Sequence, residues 1–171
     1  SDADGNAAAQ VTSSAFTVDT TLPSISAIAT TAFSWGAVLN ATEDNSNGTV
    51  SVTTTGAEDG QTVTITLNGS TYTNTVTDNT TVVTITAAGL QALTDGQSYT
   101  MTADVSDAAG NAAAQVTSAA FTVNSSLPTI SAIATTAFSW GAVLNATEDN
   151  ANGTVSITTT GVDDGQTVTI T

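Results

Sequence analysis

Much of this chain is written twice. SDADGNAAAQVTSSAFTV at 1–18 returns as SDAAGNAAAQVTSAAFTV at 106–123, and LPSISAIATTAFSWGAVLNATEDNSNGTVSVTTTG at 22–56 returns as LPTISAIATTAFSWGAVLNATEDNANGTVSITTTG at 127–161. The offset is 105 residues throughout, with ten substitutions in the 66 overlapping positions. A period of 105 is too long for a solenoid unit of about 20–45 residues and matches a whole domain in tandem. Residues 19–123 then form one complete unit, 1–18 the C-terminal end of a preceding repeat, and 124–171 the N-terminal part of the following one. Pro23 and Pro128, the only prolines, stand 105 apart after VDTTL and VNSSL and mark the junction. A short link containing proline limits the freedom between neighbours. The chain therefore reads as an excerpt of a longer array, whose first partners are the neighbouring identical repeats of the same chain.

Inside the unit the apolar residues recur at period two. Alternation runs through 49–55 (Val50, Val52), 61–68 (Val63, Ile65, Leu67), 70–77 (Tyr72, Val76), 81–87 (Val83, Ile85), 98–106 (Tyr99, Met101, Ala103, Val105) and 115–123 (Val116, Phe121, Val123). An extended segment over 25–39 brings the expectation to seven or eight strands. The separators are turn chemistry: Asn47-Gly48, Glu58-Asp59-Gly60, Asn68-Gly69, Asp95-Gly96 and residues 107–111. Asn68-Gly69 between two alternating runs predicts a two-residue hairpin. Ala87 to Leu93 is the only stretch suited to a turn of helix. The fold class expected is all-β, an immunoglobulin-like Greek-key β-sandwich of 105-residue tandem repeats.

Composition then limits the chemistry. The 171 residues hold 15 Asp plus Glu and no Lys, Arg, His or Cys, for a net charge of −15. No phosphate can be neutralised, so nucleic acid is excluded as a partner. A Ser-His triad, a thiol nucleophile, a zinc site and a disulfide are excluded with it. Forty per cent apolar residues and a mean hydropathy of +0.15 still predict a packed core. No apolar run is long enough to cross a bilayer as a helix, so membrane insertion is not expected.

Most acidic residues fall in expected loops or at the junction, several of them in SDADGN at 1–6, TEDN at 42–45, AEDG at 57–60 and SDAAGN at 106–111. Ca²⁺ takes six to eight oxygens, which flexible Asp/Asn/Gly loops supply, and a divalent ion removes repulsion among carboxylates that have no cationic neighbours. With 49–55, 61–68, 98–106 and 115–123 as the B, C, F and G strands, Asp19, Glu58, Asp59, Asp107 and Asn111 converge at the end that receives the incoming linker, with Asp104 close by. Asp2 and Asp4 are the corresponding loop of the preceding repeat. At the opposite end Glu43, Asp44 and Asp95 are expected to approach Asn124, Asp163 and Asp164 across the junction. The expectation is a calcium clamp repeated at each joint, with affinity of about 10⁻⁴–10⁻³ M. The repeat weakens it at one place, since Asp19 becomes Asn124 and Asp4 becomes Ala109. The same acidic turns also suit a plain solvated surface that keeps an array apart from its neighbours.

Phe33 and Trp35, repeated as Phe138 and Trp140, suit the core better than a sugar-stacking face. Ranks of Thr such as Thr62, Thr64 and Thr66 suit any uncharged pleated surface as well as they suit ice. Glu58 and Asp59 are adjacent on one loop and do not face each other as a glycosidase pair must, so no enzyme is expected.

TDGQSYTMTADVSDAAGN at 94–111 and VNSSLP at 123–128 resemble the recurring end and junction of bacterial Ig-like repeats in giant type I-secreted, RTX-type surface adhesins. This class includes the calcium-dependent extender arrays of bacterial ice-binding adhesins. The resemblance covers the whole unit. It implies a secreted, extracellular stalk at the bacterial cell surface, with roles in adhesion and biofilm. In such a stalk the repeats act as spacers and Ca²⁺ rigidifies domains and linkers. Residues and resemblance together point to a structural extender module, a monomeric rod. The alternatives are a module binding glycan, ice or another cell, and the subunit of a self-assembling filament.

Overall fold

The computed structural model describes residues 1–171. Its strands are β1 (Ser24–Ile25), β2 (Val38–Asn40), β3 (Gly48–Thr55), β4 (Thr62–Leu67), β5 (Ser70–Thr75) and β6 (Thr80–Ile85), followed by the helix α1 (Ala87–Gln91). Then come β7 (Ser98–Tyr99), β8 (Met101–Asp104), β9 (Val116–Thr117), β10 (Phe121–Asn124), β11 (Thr129–Ile130) and β12 (Thr159–Thr160). One sheet has the order β1-β3-β6, and the opposing layer combines β5-β4-β8-β9 with β2-β10-β7. All pairs are antiparallel except β2 with β10. This is an immunoglobulin-like Greek-key sandwich.

The period-two residues do what alternation requires. Val50, Val52, Val63, Ile65, Leu67, Val83, Ile85, Met101, Ala103, Phe121 and Val123 all turn inward and are buried. Asn68 and Gly69 both take positive φ, 48° and 79°, between Leu67 and its partner Ser70, so the expected hairpin is a two-residue turn of the primed type. Residues 87–91 form the expected helical turn, capped by the Thr86 hydroxyl, which accepts from Gly89 N.

Two long strands expected from the sequence are broken, each for a visible reason. The segment 25–39 is not continuous, because β1 pairs with β3 in one sheet while β2 pairs with β10 in the other. No single strand can do both, and the chain crosses between layers through a 3₁₀ turn at Thr30–Ala32 and a reversal at Gly36, whose φ is +70°. Phe33 bridges to Val50 on the way, and Phe33 and Trp35 enter the core as expected. The second break lies between the F and G runs. Thr102 faces Thr117 and Tyr99 faces Phe121, so three residues on one strand oppose two on the other. This is a β-bulge. Ser118, buried there, holds it: its hydroxyl accepts from Met101 N at 2.9 Å, and its N–H donates to Met101 O at 2.8 Å. Ala119 N then donates to Ile28 O at 2.7 Å, tying the bulge to the crossing segment.

The core is centred on an aromatic group. Trp35 meets Phe121 edge-on at 5.4 Å and stacks with Phe33 at 5.4 Å, and Tyr99 lies 6.2 Å from Phe121. The Tyr99 hydroxyl accepts a hydrogen bond from Thr94 N, five residues upstream, at 2.9 Å. A tyrosine at the start of strand F bonding back to the preceding corner is the tyrosine corner of Ig-like sandwiches. Residues 1–22 lie outside this core and are exposed, and beyond β10 the only strand pair is β11 with β12.

Candidate functional site: the two ends of the sandwich

At the end receiving the incoming linker, the loop 107–111 is closed by its own side chains. Asp107 accepts from Asn111 N at 2.7 Å through one oxygen and from Asn111 Nδ2 at 2.8 Å through the other. The Asn111 amide bond, opposed by desolvation and helped by backbone N–H groups, holds the Asp107 carboxyl below the ordinary 3.8. The second hydrogen of the Asn111 amide faces Asp19 O at 3.2 Å and Thr21 O at 3.4 Å, so this loop holds the linker. Glu58 reaches over from the neighbouring loop and accepts from Ala108 N at 2.8 Å. Asp19, Glu58, Asp107 and Asn111 are thus brought into one connected group.

Asp59 turns away and accepts from Asp78 N at 2.9 Å, capping the turn at 78–79, where both residues have positive φ. Asp104 lies on β8 and accepts from the Gln115 amide at 3.0 Å. In the segment before the sandwich, Asp2 repeats the loop bonds with Asn6, and its carboxyl is lowered by the Asn6 amide first. Asp4 only donates its N–H to Asp2 Oδ1.

At the opposite end Asp95 carries the contact. One of its oxygens accepts from Ser125 N at 2.7 Å and the other from the Ser126 hydroxyl. Those bonds, the Ser126 hydroxyl leading, lower its pKa from 3.8. Beside it a cleft of about 290 Å³ is lined by Asn40, Ala41, Thr42, Asn124, Ser126, Leu127, Pro128 and Gly161. Glu43 accepts from Asn40 N at 3.0 Å and closes its own turn, and the Asp44 side chain makes no hydrogen bond. Asp163 and Asp164 are exposed, and neither lines the cleft. Asn124 lies in register with Asn40 on β2 and lines the cleft, but it makes no side-chain hydrogen bond.

The fit to a cation follows from these partners. No three carboxylates converge so that they could hold a metal ion together. Ten of the 15 acidic side chains instead accept from N–H groups, which is how a chain without Lys or Arg satisfies them. Sequence reasoning missed Tyr99 as a corner and Ser126 as an anchor. The signals were present: a tyrosine three residues after Asp95-Gly96 at the F strand, and a hydroxyl kept at position 126 where the earlier linker has Thr21.

The fold and its corner define an Ig-like sandwich module. Among solved structures the chain is 33% identical to a bacterial immunoglobulin-like domain from the M. primoryensis ice-binding adhesin, over 60% of this chain and 95% of that domain, with a TM-score of 0.41. Across nearly the whole of that domain, then, the chain is similar to a bacterial immunoglobulin-like domain of an ice-binding adhesin. It is 32% identical to a structure of a 1.5-MDa bacterial ice-binding adhesin concerned with retention at the host cell surface (61% of this chain, 32% of that one, TM-score 0.42). It is also 32% identical to a Ca²⁺-stabilized adhesin that helps an Antarctic bacterium reach out and bind ice (81% and 32%, TM-score 0.47). The chain spans about a third of the length of these last two. No family model and no curated protein matches it.

Proposed function

We propose that the chain is a spacer segment of an extracellular bacterial adhesin stalk, in which sandwich units follow one another and set a distance. The observation that carries this reading is the docked exit: the linker leaving the sandwich is bound by Asp95 of the unit it leaves. Near-identity of the repeats supports it, because a rod needs the same unit again whereas a recognition site does not. The sandwich also presents no large apolar patch. Between Ser24 and Asn124 the only large apolar side chains left exposed are Val38 and Val82, each about half covered. No helix is long and apolar enough to cross a membrane.

Calcium is the finer part of the proposal. Its support is the net charge of −15 without a cationic side chain and the Ca²⁺ stabilization of one similar adhesin. The group most open to it is Asp19, Glu58, Asp107 and Asn111, already connected at one end. Because no three acids converge as arranged, the stiffness of the rod is not assigned to the ion.

Small-angle scattering of the chain tests the spacer, which requires one elongated shape with 124–171 held in a fixed direction from the sandwich. A broad distribution of shapes would remove it. Thermal melts test the ion: added CaCl₂ raises the melting temperature relative to EGTA by relieving carboxylate repulsion and by mass action, and coincident melts remove calcium from the reading.

A further inference from the structure

The two linkers in this chain are held in different ways, and the repeat allows the two to be superimposed. Linker residues 124–126 present donors to the unit behind them, where Asp95 takes Ser125 N and the Ser126 hydroxyl. Linker residues 19–21 present acceptors to the unit ahead, where the Asn111 amide takes Asp19 O and Thr21 O. Asp19, Thr20 and Thr21 occupy the positions of Asn124, Ser125 and Ser126 one repeat apart. All three differ, yet the hydroxyl that Asp95 requires is kept at both copies of the third position. The backbone groups used by Asp95 and Asn111 do not depend on the side chain at all.

We infer that each joint is a hydrogen-bonded double clamp, in which a carboxylate of the preceding unit binds the donors of the linker and an amide of the following unit binds its acceptors. The inference rests on the spacer reading for its purpose but not for its geometry. It assigns the direction of one unit relative to the next to Asp95 and Asn111, and the Asp19 to Asn124 change leaves both contacts intact, because the Asp19 carboxylate accepts only from Thr21 N at 2.9 Å within the linker itself. Donor-side and acceptor-side bonds use different atoms of the linker, so both are able to act on one joint together. Fixing three consecutive residues from both sides leaves little freedom to a link whose φ at proline is already set.

Hydrogen exchange on the whole chain, in EGTA and in excess CaCl₂, tests this. The Ser125 amide is expected to be protected in EGTA, and Asp95→Ala should speed its exchange by at least about tenfold, as loss of a hydrogen bond to a charged group implies. Ser126→Thr should behave as wild type and Ser126→Ala should give a partial loss. Asn111→Ala should raise the fast mobility of amides 19–22 in NMR relaxation, while its own N–H still closes the loop on Asp107. Unchanged protection of Ile65 and Ala103 shows that a variant remains folded. The clamp is overturned if wild-type Ser125 is protected only when CaCl₂ is present, or if Asp95→Ala leaves it protected. Failure of the spacer looks different: Ser125 stays protected in EGTA while scattering shows 124–171 sampling many directions.

Discussion

The first part of the repeat occurs in two settings, within the sandwich at 24–66 and beyond it at 129–171. The short-range features are the same in both. Thr30–Ala32 and Thr135–Ala137 are 3₁₀ turns, as are Glu43–Asn45 and Glu148–Asn150. Asn40 accepts from Thr42 N and Glu43 N, and Asn145 accepts from Thr147 N and Glu148 N. Ser34 and Ser139 accept from the amides of Thr49 and Thr154, each at 2.9 Å. The long-range features are not the same. The eight residues of β3 are matched by two in β12, and Leu39, fully buried, is matched by Leu144 at 53% exposure. Local hydrogen bonds form wherever their sequence occurs. Strand length and burial require partners such as β6, β8 and β10, which only the complete unit has around these residues.

The sharpest way to break this comparison is to make the same substitution twice. Trp35 packs between Phe33 and Phe121 and is 5% exposed, whereas Trp140 stacks on Phe138 and is half-buried with no counterpart of Phe121 over it. Trp35→Ala should cost about 3–5 kcal/mol of sandwich stability through lost burial and the cavity left behind. Trp140→Ala should leave the transition unmoved. Urea unfolding followed by far-UV circular dichroism reads both, and equal losses would mean that 124–171 shares the core of the complete unit.

A smaller effect separates steric fit from burial. A Cβ built on Gly48 would lie 2.5 Å from Trp35 Cζ3, and one built on Gly153 would lie 2.4 Å from Trp140 Cζ3. The clash is the same, but the ability to yield is not. Trp35 is held on its other side by Phe121 and Phe33, so Gly48→Ala should cost about 1–3 kcal/mol as an overpacked core position. Trp140 has room to swing out, and Gly153→Ala should not alter the urea midpoint. A neutral Gly48→Ala would show that the indole moves inside the core, and the aromatic packing would then be looser than its geometry indicates.

These contrasts also explain what the sequence could disclose. Alternation identified the inward residues of β3, β4, β6 and β8, because a period of two is a property of the strand itself. Asn68-Gly69 was readable because both residues must tolerate positive φ. The crossing at 30–37 and the bulge at Ser118 were not readable, since each depends on which sheet a distant strand joins. The candidate site divides the same way. Topology was enough to bring Glu58, Asp107, Asn111 and Asp19 to one end. It could not show that Asp59 would be drawn to Asp78 N or that Asp95 would engage the linker, because backbone donors with no side-chain rival decide where these carboxylates point.

The smallest effect concerns a loop that is present in both settings. Asp107 is buried at 3% exposure and bonded to Asn111, and Asp2 is exposed and bonded to Asn6 in the same way. Both carboxyls are lowered from 3.8, in each case first by the asparagine amide. A depressed native pKa gives stability that is complete above the unfolded value and lost as pH falls from 3.8 through the lowered one. Asp2 lies outside the sandwich, so unfolding does not open its loop and it should contribute nothing. Asp107 should contribute only the part of its shift that the unfolded chain lacks, because the Asp2 loop shows that these bonds form without a sandwich around them. Carboxyl NMR titration should therefore place both groups below 3.8, while Asp107→Asn flattens the loss of stability below that pH slightly and Asp2→Asn leaves it unchanged. A large flattening by Asp107→Asn would mean that the Asn111 bonds hold the carboxylate only when the folded sandwich and the linker fix them in place, and would move this loop from the local to the long-range side of the comparison.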